Sequence, residues 1–216
     1  MRKLIIVVIA AIAELGFSPA PSAQGERCDL ILRNGRVIDG SGSPWYRADV
    51  AIRSDTIVRI APKIQEPARR TIDLNGQVIA PGFIDIHTHA RRGIFEVPTA
   101  DNYVRQGVTT LIEGPDGGSP VPLAPFFKRL EALPKSVNIG MFIGQGSVRA
   151  AVIGEVNRKP TPEELDKMRA LVKQGMDDGA FGLSSGLFYV PGTFTETDEV
   201  VELGKVAGGY GGIYIS

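Results

Sequence analysis

The pattern of apolar and polar positions changes near Val78. Before it, short runs that mix Ile, Leu and Val with polar residues are separated by turn-forming Gly, Asn, Asp and Ser. The predicted strands are residues 29–32, 36–39, 49–52, 56–60 and 71–74. Asn34-Gly35 predicts a hairpin turn, and Ser54-Asp55 and Asn75-Gly76 predict further turns. We therefore expect residues 28–80 to form a small β-meander, a β-sandwich-like domain.

From Val78 onward, apolar strand-like runs alternate with segments of helical periodicity. The predicted strands are residues 78–86, 108–112, 137–143, 180–183 and 212–215, and the predicted helices include residues 100–106, 123–133 and 199–206. Another helix should begin at Thr161, where Pro162 and Glu164 complete an N-terminal capping pattern. Such alternation is typical of βα units around a parallel sheet.

The fold class predicted for the chain is α/β. Residues 81–216 are expected to form a partial (β/α)8 TIM-type barrel, with the first five βα strands. A complete barrel of this kind takes about 250 residues, so this segment is too short to close one. The last predicted strand also runs to Ser216. We expect the chain to be the N-terminal portion of a longer enzyme and to be inactive on its own.

Charge and cysteine content narrow the range of functions. The chain has 24 basic and 24 acidic residues, and this zero net charge disfavours a nucleic-acid-binding protein. Cys28 is the single cysteine, which rules out an intrachain disulfide and a cysteine-based zinc cluster. Any metal would be held by histidine, carboxylate and water.

The first residues have the pattern of an export signal. A basic start, Met1-Arg2-Lys3, precedes an apolar run and a segment of small residues, so residues 1–23 are predicted to be a secretory signal peptide. An uncleaved membrane anchor is the alternative. With cleavage we expect a periplasmic or secreted bacterial protein that is not attached to the membrane.

The strongest chemical signal is the pair His87 and His89, the only two histidines of the chain. They follow an apolar run, and a strand places alternate residues on one face, so both should project to the same side together with Asp85. Two imidazoles about 7 Å apart along a strand can converge on one cation. The alternative is a pair of histidines without a ligand, but the Ile-rich flanks favour a buried strand with a metal.

Further polar groups follow the other predicted strands, where barrel enzymes place their sites. Asp116 lies in a glycine-rich loop and is the best third metal ligand, with Glu113 as its competitor and a simple turn aspartate as the alternative. The stretch from Gly182 to Gly186 matches the G-x-S-x-G pattern around a nucleophilic serine, Ser184. No histidine follows His89 to serve such a serine, so we do not assign it that role.

These motifs resemble a known family. Pro81-Gly82-Phe83-Ile84-Asp85-Ile86-His87-Thr88-His89 resembles the opening motif of the amidohydrolase superfamily. Three later segments resemble N-acyl-D-amino-acid deacylases (D-aminoacylases). They are Gly107-Val108-Thr109-Thr110, the residues from Gly179 to Gly192, and Thr195-x-Thr197-Asp198-Glu199. The resemblance implies zinc-dependent hydrolysis of the amide bond of a small-molecule N-acyl-D-amino acid, with one or two Zn²⁺ ions and with His87 and His89 as ligands.

The family pattern also assigns roles that this chain fulfils only in part. Many members have a metal-binding cysteine where Asp116 stands. Phe188 and Tyr189 are expected to line the acyl or side-chain pocket, unless they are core aromatics, and Arg149 to attract the substrate carboxylate, unless it is a plain surface arginine. The family's catalytic aspartate and further histidines are expected beyond Ser216, so no catalytic residue is assigned here.

Two other functions remain open. A non-catalytic secreted fragment is one. The other is a different amidohydrolase, dihydroorotase-like or isoaspartyl dipeptidase-like. Such enzymes commonly bridge two metals with a carboxylated lysine on the fourth strand, and residues 180–185 contain no lysine.

Overall fold

The computed structural model describes residues 27–216, so the predicted signal peptide lies outside the described residues. The protein is of the α/β class and divides into two compact units, one that ends at Pro81 and one that comprises Gly82–Ser216. None of the helices between residues 27 and 216 combines the length and the apolar character needed to span a lipid bilayer.

The described residues of the first unit form one mixed sheet. Its strands are β1 (Cys28–Val37), β2 (Tyr46–Arg53), β3 (Thr56–Ala61), β4 (Ala68–Asp73) and β5 (Val78–Ile79). The order is β3-β2-β1-β4, and β5 pairs with the end of β1. Strand β1 is antiparallel to β2 but parallel to β4 and β5. Within the described residues the unit is therefore one sheet with parallel pairings, and the expectation of a simple meander was wrong.

The predicted hairpin at Asn34-Gly35 is a bulge inside one long strand. Asn34 adopts a left-handed conformation with φ of 57°, and the register of β1 against β2 shifts between Leu32 and Gly35. The Asn34 amide donates to the buried carboxylate of Asp49 at 3.0 Å. Because Asp49 satisfies this amide, the extra residue is accommodated without reversing the chain. The predicted turn at Ser54-Asp55 is confirmed, since it joins the antiparallel strands β2 and β3.

The second unit alternates parallel strands with helices. Its strands are β6 (Phe83–Thr88), β7 (Val108–Glu113), β8 (Asn138–Met141), β9 (Ile143–Gly144), β10 (Gly182–Ser184) and β11 (Ile213–Ile215). Its helices are α1 (Gly93–Glu96), α2 (Asp101–Val104), α3 (Ala124–Glu131), α4 (Gln145–Ile153), α5 (Pro162–Asp177) and α6 (Thr197–Gly209). Strands β6-β7-β8 form one parallel sheet and β9-β10-β11 another. Only Phe142 separates β8 from β9, so one stretch of chain contributes to both sheets.

Helix α5 begins as its sequence predicts. The Thr161 side chain accepts from the Glu164 amide, and the Glu164 side chain accepts from the Thr161 amide, which completes a capping box. The predicted apolar face of α5 packs into the core of this unit through Met168 and Val172, both fully buried.

One expectation about the strands needs correction. Strand β6 was expected to be buried, but Phe83 and Ile84 are each 64% exposed and Ile86 is 52% exposed, and β6 is an edge strand that pairs only with β7 among the described strands. The residues after β9 form α4. Gly144 provides the extended N-cap of this helix, and Val148 is one of its buried side chains.

Candidate metal centre

Two neighbouring strand ends bring three metal-binding side chains together. His87 and His89 lie at the carboxyl end of β6, and Asp116 lies in the loop after β7. Because β6 and β7 are parallel, their carboxyl ends meet at one edge of the sheet. His87 Nε2 lies 3.3 Å from Asp116 Oδ1, and His89 Nε2 lies 3.2 Å from Asp116 Oδ2.

The geometry of this cluster fits a zinc ion. One ligand atom from each side chain lies within 4.8 Å of the others, and the imidazole ring centres are 5.7 Å apart. Ligand atoms at about 2.1 Å from a tetrahedral zinc ion lie about 3.4 Å from one another, close to the His–Asp separations. Imidazole nitrogen and carboxylate oxygen are both zinc ligands. The imidazoles of His87 and His89 are more than half exposed, so the centre is accessible.

The two other nearby carboxylates are occupied by protein groups. Asp85 accepts a hydrogen bond from the His87 amide of its own strand at 3.1 Å. Glu113 is buried and accepts from the Thr88 hydroxyl at 2.5 Å and from the Ala90 amide at 2.6 Å. Glu113 thus fixes the segment around His89 to β7. Asp116, which meets both imidazoles, is the better third ligand.

One cleft contains His89 and Tyr103. Burial raises the pKa of the Tyr103 hydroxyl, and the negative charges of Glu113 and Asp85 raise it further.

Two clefts meet at Asp116. The first, of about 240 Å³, is lined by His89, Arg91, Arg92 and the loop after β7. Arg91 donates to the Gly118 carbonyl at 2.8 Å, whereas Arg92 is exposed. The sequence interpretation gave these arginines no role, although their position directly after the second histidine was a usable signal.

The second cleft contains one of the two predicted substrate-binding aromatics. Tyr189 lines it together with Asp116, the α4 residues Gly146 and Ala150, and other small residues. Phe188 is 89% exposed and contacts Tyr189 edge-to-face with ring centres 5.5 Å apart. Neither aromatic is a core residue. The structure therefore brings Tyr189 to the site and leaves Phe188 beside it.

Arg149 does not reach the clefts. Its side chain is fully buried, forms an ion pair with Glu199 of α6, and donates to the Arg158 carbonyl at 2.7 Å. The side-chain amide of Gln145 donates to the same Glu199 carboxylate at 2.8 Å. The expectation that Arg149 binds a substrate carboxylate was wrong, because its guanidinium is engaged in the contact between α4 and α6.

The serine of the G-x-S-x-G pattern is a buried structural group. Ser184 has no exposed surface, and its hydroxyl accepts from the Gly117 amide at 3.2 Å. The neighbouring Ser185 hydroxyl contacts the Tyr214 hydroxyl at 2.6 Å. The decision not to assign Ser184 as a nucleophile agrees with this burial.

No family model matches the chain. A D-aminoacylase of Alcaligenes xylosoxydans xylosoxydans is 35% identical over 209 residues, which cover 86% of this chain and 43% of the relative. A D-aminoacylase structure concerned with a binuclear metal centre has a TM-score of 0.80 at 33% identity, covering 87% of this chain and 44% of that one.

A third relative has been solved with a ligand. An N-acyl-D-glutamate deacylase from Bordetella bronchiseptica, complexed with zinc and a phosphonate inhibitor, has a TM-score of 0.83 at 29% identity. The match covers 88% of this chain and 44% of that structure. The chain thus spans less than half the length of these relatives.

The fold is similar to that of a D-aminoacylase crystal structure that defines a subset of amidohydrolases, with a TM-score of 0.80 at 33% identity. The predicted resemblance to the N-acyl-D-amino-acid deacylases (D-aminoacylases) is confirmed over most of this chain.

Proposed function

We propose that this protein is a zinc-dependent amidohydrolase that hydrolyses the amide bond of N-acyl-D-amino acids. The observation that carries the proposal is the convergence of His87, His89 and Asp116 at two parallel strand ends. The similarity to D-aminoacylases over 86% of the chain supports the same activity. Hydrolysis of an amide by this class requires a metal and a group that carries a proton to the leaving amine.

We also propose that Gly82–Ser216 forms the first part of a (β/α)8 barrel. Successive parallel strands in chain order, with helices between them, support it. Exposed strand residues such as Ile84 and Ile213 are apolar, as expected of faces that further strands or helices would cover. The carboxylate that carries the proton is proposed to lie beyond the residues of this chain.

In the proposed metal centre, His87 and His89 would each contribute an imidazole nitrogen. Asp116 offers two carboxylate oxygens, one near each imidazole, and so suits either one Zn²⁺ or two bridged ions. Zinc in such a site supplies Lewis acidity towards a carbonyl oxygen and lowers the pKa of water. Glu113 keeps the His89 segment in place through Thr88 and Ala90.

The substrate carboxylate is proposed to bind Arg92 rather than Arg149. Arg92 is exposed at the cleft that contains His89, so its guanidinium is available to an anion. The acyl or side-chain group is proposed to occupy the second cleft, against Tyr189. Among the described residues that line this cleft, Asp116 alone carries a charged side chain, which favours an apolar group.

A dihydroorotase-like activity is less favoured. The strand that would carry a carboxylated lysine in such enzymes corresponds to β10, whose residues are Gly182, Leu183 and Ser184. Export is also part of the proposal, and it rests on the amino-terminal sequence pattern alone.

The test is amine release by the protein expressed from its complete gene and loaded with zinc. We expect release from N-acetyl-D-amino acids and little release from the L-enantiomers. The His87→Ala variant is the control, and it should lose both zinc and activity. Equal hydrolysis of both enantiomers, or activity that survives zinc removal and the His87→Ala change, would overturn the proposal.

A further inference from the structure

The loop that carries Asp116 is held closely between two other strand ends. A Cβ atom at Gly186 would lie 2.2 Å from the Asp116 carbonyl oxygen, and one at Gly144 would lie 2.3 Å from the Gly117 carbonyl oxygen. Gly117 itself has a φ of 73°, which favours glycine. The backbone of Asp116 and Gly117 therefore passes between the segments that follow β9 and β10, with no room for additional side chains.

Serine groups join this loop to both neighbours. On one side, the Ser184 hydroxyl accepts from the Gly117 amide at 3.2 Å. On the other side, the Ser147 amide donates to the Gly117 carbonyl at 3.0 Å, and the Ser147 hydroxyl accepts from the Ser119 amide at 2.9 Å. The Ser119 hydroxyl in turn accepts from the Gly144 amide at 2.9 Å.

We propose that Ser184 and Ser147 are positioning residues for Asp116 in the metal centre. The Ser184 hydroxyl contacts the Gly117 amide beside Asp116, and the Ser147 hydroxyl contacts the Ser119 amide further along the same loop. Both contacts are to peptide groups of the loop, so the two serines act through its backbone. Removing the Ser184 hydroxyl leaves the Gly117 amide without its acceptor, and the loop then moves to find another partner. The Asp116 carboxylate would lose its placement between His87 and His89.

This inference rests on the proposed metal centre, and it goes further in assigning a role to the serine of the G-x-S-x-G pattern. In this chain the serine provides a hydrogen bond that positions a ligand from another strand end. A group of this kind typically changes metal affinity by about 10-fold to 100-fold when it is removed. We expect the lower value, because Ser184 contacts the peptide next to the ligand and not the ligand itself.

The experiment compares Ser184→Ala with Ser185→Ala in the protein expressed from its complete gene. Both serines are buried, but the Ser185 hydroxyl contacts Tyr214 and Ser216 instead of the Asp116 loop. Zn²⁺ and Cu²⁺ affinities are measured by competition with a chelating dye, and melting temperatures are measured on the metal-free proteins. We expect Ser184→Ala to weaken metal binding about tenfold, with Ser185→Ala close to wild type. Ser147→Ala should also weaken metal binding, because it removes the hydroxyl that accepts from the Ser119 amide.

A double-mutant cycle with Asp116→Asn separates positioning from general destabilisation. Cu²⁺ is the probe for the cycle, because it binds imidazole more tightly than Zn²⁺ and reports on a two-histidine site. If Ser184 acts through Asp116, Ser184→Ala should have no further effect on Cu²⁺ affinity in the Asp116→Asn background. The change in melting temperature that Ser184→Ala causes should remain in the Asp116→Asn background.

The outcomes distinguish this inference from the proposed function. A wild-type protein that does not bind Zn²⁺ through His87 and Asp116 would defeat the proposed metal centre and this inference with it. A wild-type protein that binds Zn²⁺, together with unchanged affinity in Ser184→Ala, would overturn the positioning role alone. Equal losses of affinity in the Ser184 and Ser185 variants would also overturn it.

Discussion

Asp116 Oδ2 lies 3.2 Å from Nε2 of His89, and the other oxygen of the same carboxylate lies 3.3 Å from Nε2 of His87. One carboxylate from the loop after β7 therefore meets both histidines of β6. This arrangement depends on the parallel pairing of the two strands, which brings their carboxyl ends to one edge. It also depends on the packing of the Asp116 loop against Gly186 and Gly144.

The identity of the third ligand can be tested by substitution. Asp116→Ala should strongly reduce zinc binding, whereas Asp116→Cys should retain it, because thiolate is a good zinc ligand. Zinc content after dialysis, measured by mass spectrometry, provides the readout. Asp85→Asn is the matched control, since Asp85 contacts the His87 amide and not the imidazoles. Full zinc retention in Asp116→Ala would exclude Asp116 as a ligand.

Arg92 is predicted to affect substrate binding and not metal binding. Arg92→Met should raise KM for an N-acyl-D-amino acid while leaving zinc content unchanged, because it removes a cation at the rim of the cleft that contains His89. The increase in KM should be smaller for a substrate analogue that carries a carboxamide in place of the carboxylate. Unchanged KM for the carboxylate substrate would rule out this contact.

The buried ion pair between Arg149 and Glu199 predicts a large stability effect. Arg149→Ala should lower the free energy of unfolding by about 3–5 kcal/mol, because it leaves the Glu199 carboxylate buried without its charged partner. Chemical denaturation measures this quantity. Arg169→Ala is the control, because Arg169 pairs with Glu202 and Asp166 at the surface, and it should change stability little. A small loss in Arg149→Ala would contradict the assigned role.

The start of α5 predicts a pH dependence of stability. Hydrogen bonds from Arg158 lower the pKa of Glu164 from its ordinary value of 4.5 to about 2. A carboxyl group whose pKa is lowered by folding stabilises the native state above its unfolded-state pKa. That contribution is lost as the pH falls through the folded-state value.

The difference in unfolding free energy between wild type and Glu164→Gln should therefore be constant above about pH 5 and should shrink towards pH 2. Denaturant titrations at a series of pH values measure the difference. Gln174→Ala, a change at an exposed, uncharged position of the same helix that leaves the capping box intact, serves as the comparison. A difference that does not vary between pH 5 and pH 2 would show that the carboxylate charge does not stabilise α5.

The close approach at Gly186 predicts that a single methyl group disturbs the centre. Gly186→Ala should destabilise the protein by about 1–3 kcal/mol, because its Cβ would overlap the Asp116 carbonyl oxygen. It should also weaken zinc binding. Gly204→Ala in α6 is the matched control: no atom of the described residues outside its own helix turn lies within 4 Å of the added Cβ, and a helical alanine should stabilise by about 0.5–1 kcal/mol. Normal zinc binding in Gly186→Ala would argue against a rigid Asp116 loop.

Local signals in the sequence determined much of this protein. The alternation of strands and helices after Val78, the capping box at Thr161 and the turn at Ser54-Asp55 depend on neighbouring residues, and all three appear in the structure. The spacing of His87 and His89 also placed both imidazoles at one strand end, because alternate residues of a strand project to the same side. These features follow from backbone geometry and local hydrogen bonding, which a sequence pattern records directly.

Only the tertiary structure decided the features that depend on distant partners. Asn34-Gly35 became a bulge because Asp49 of another strand satisfies the Asn34 amide. Arg149 became a core residue because Glu199 of α6 pairs with it, and Ser184 contacts the Asp116 loop because this loop packs against the end of β10. A side chain's role depends on which charged or polar group faces it across the fold, and the spacing of residues along the chain does not specify that partner.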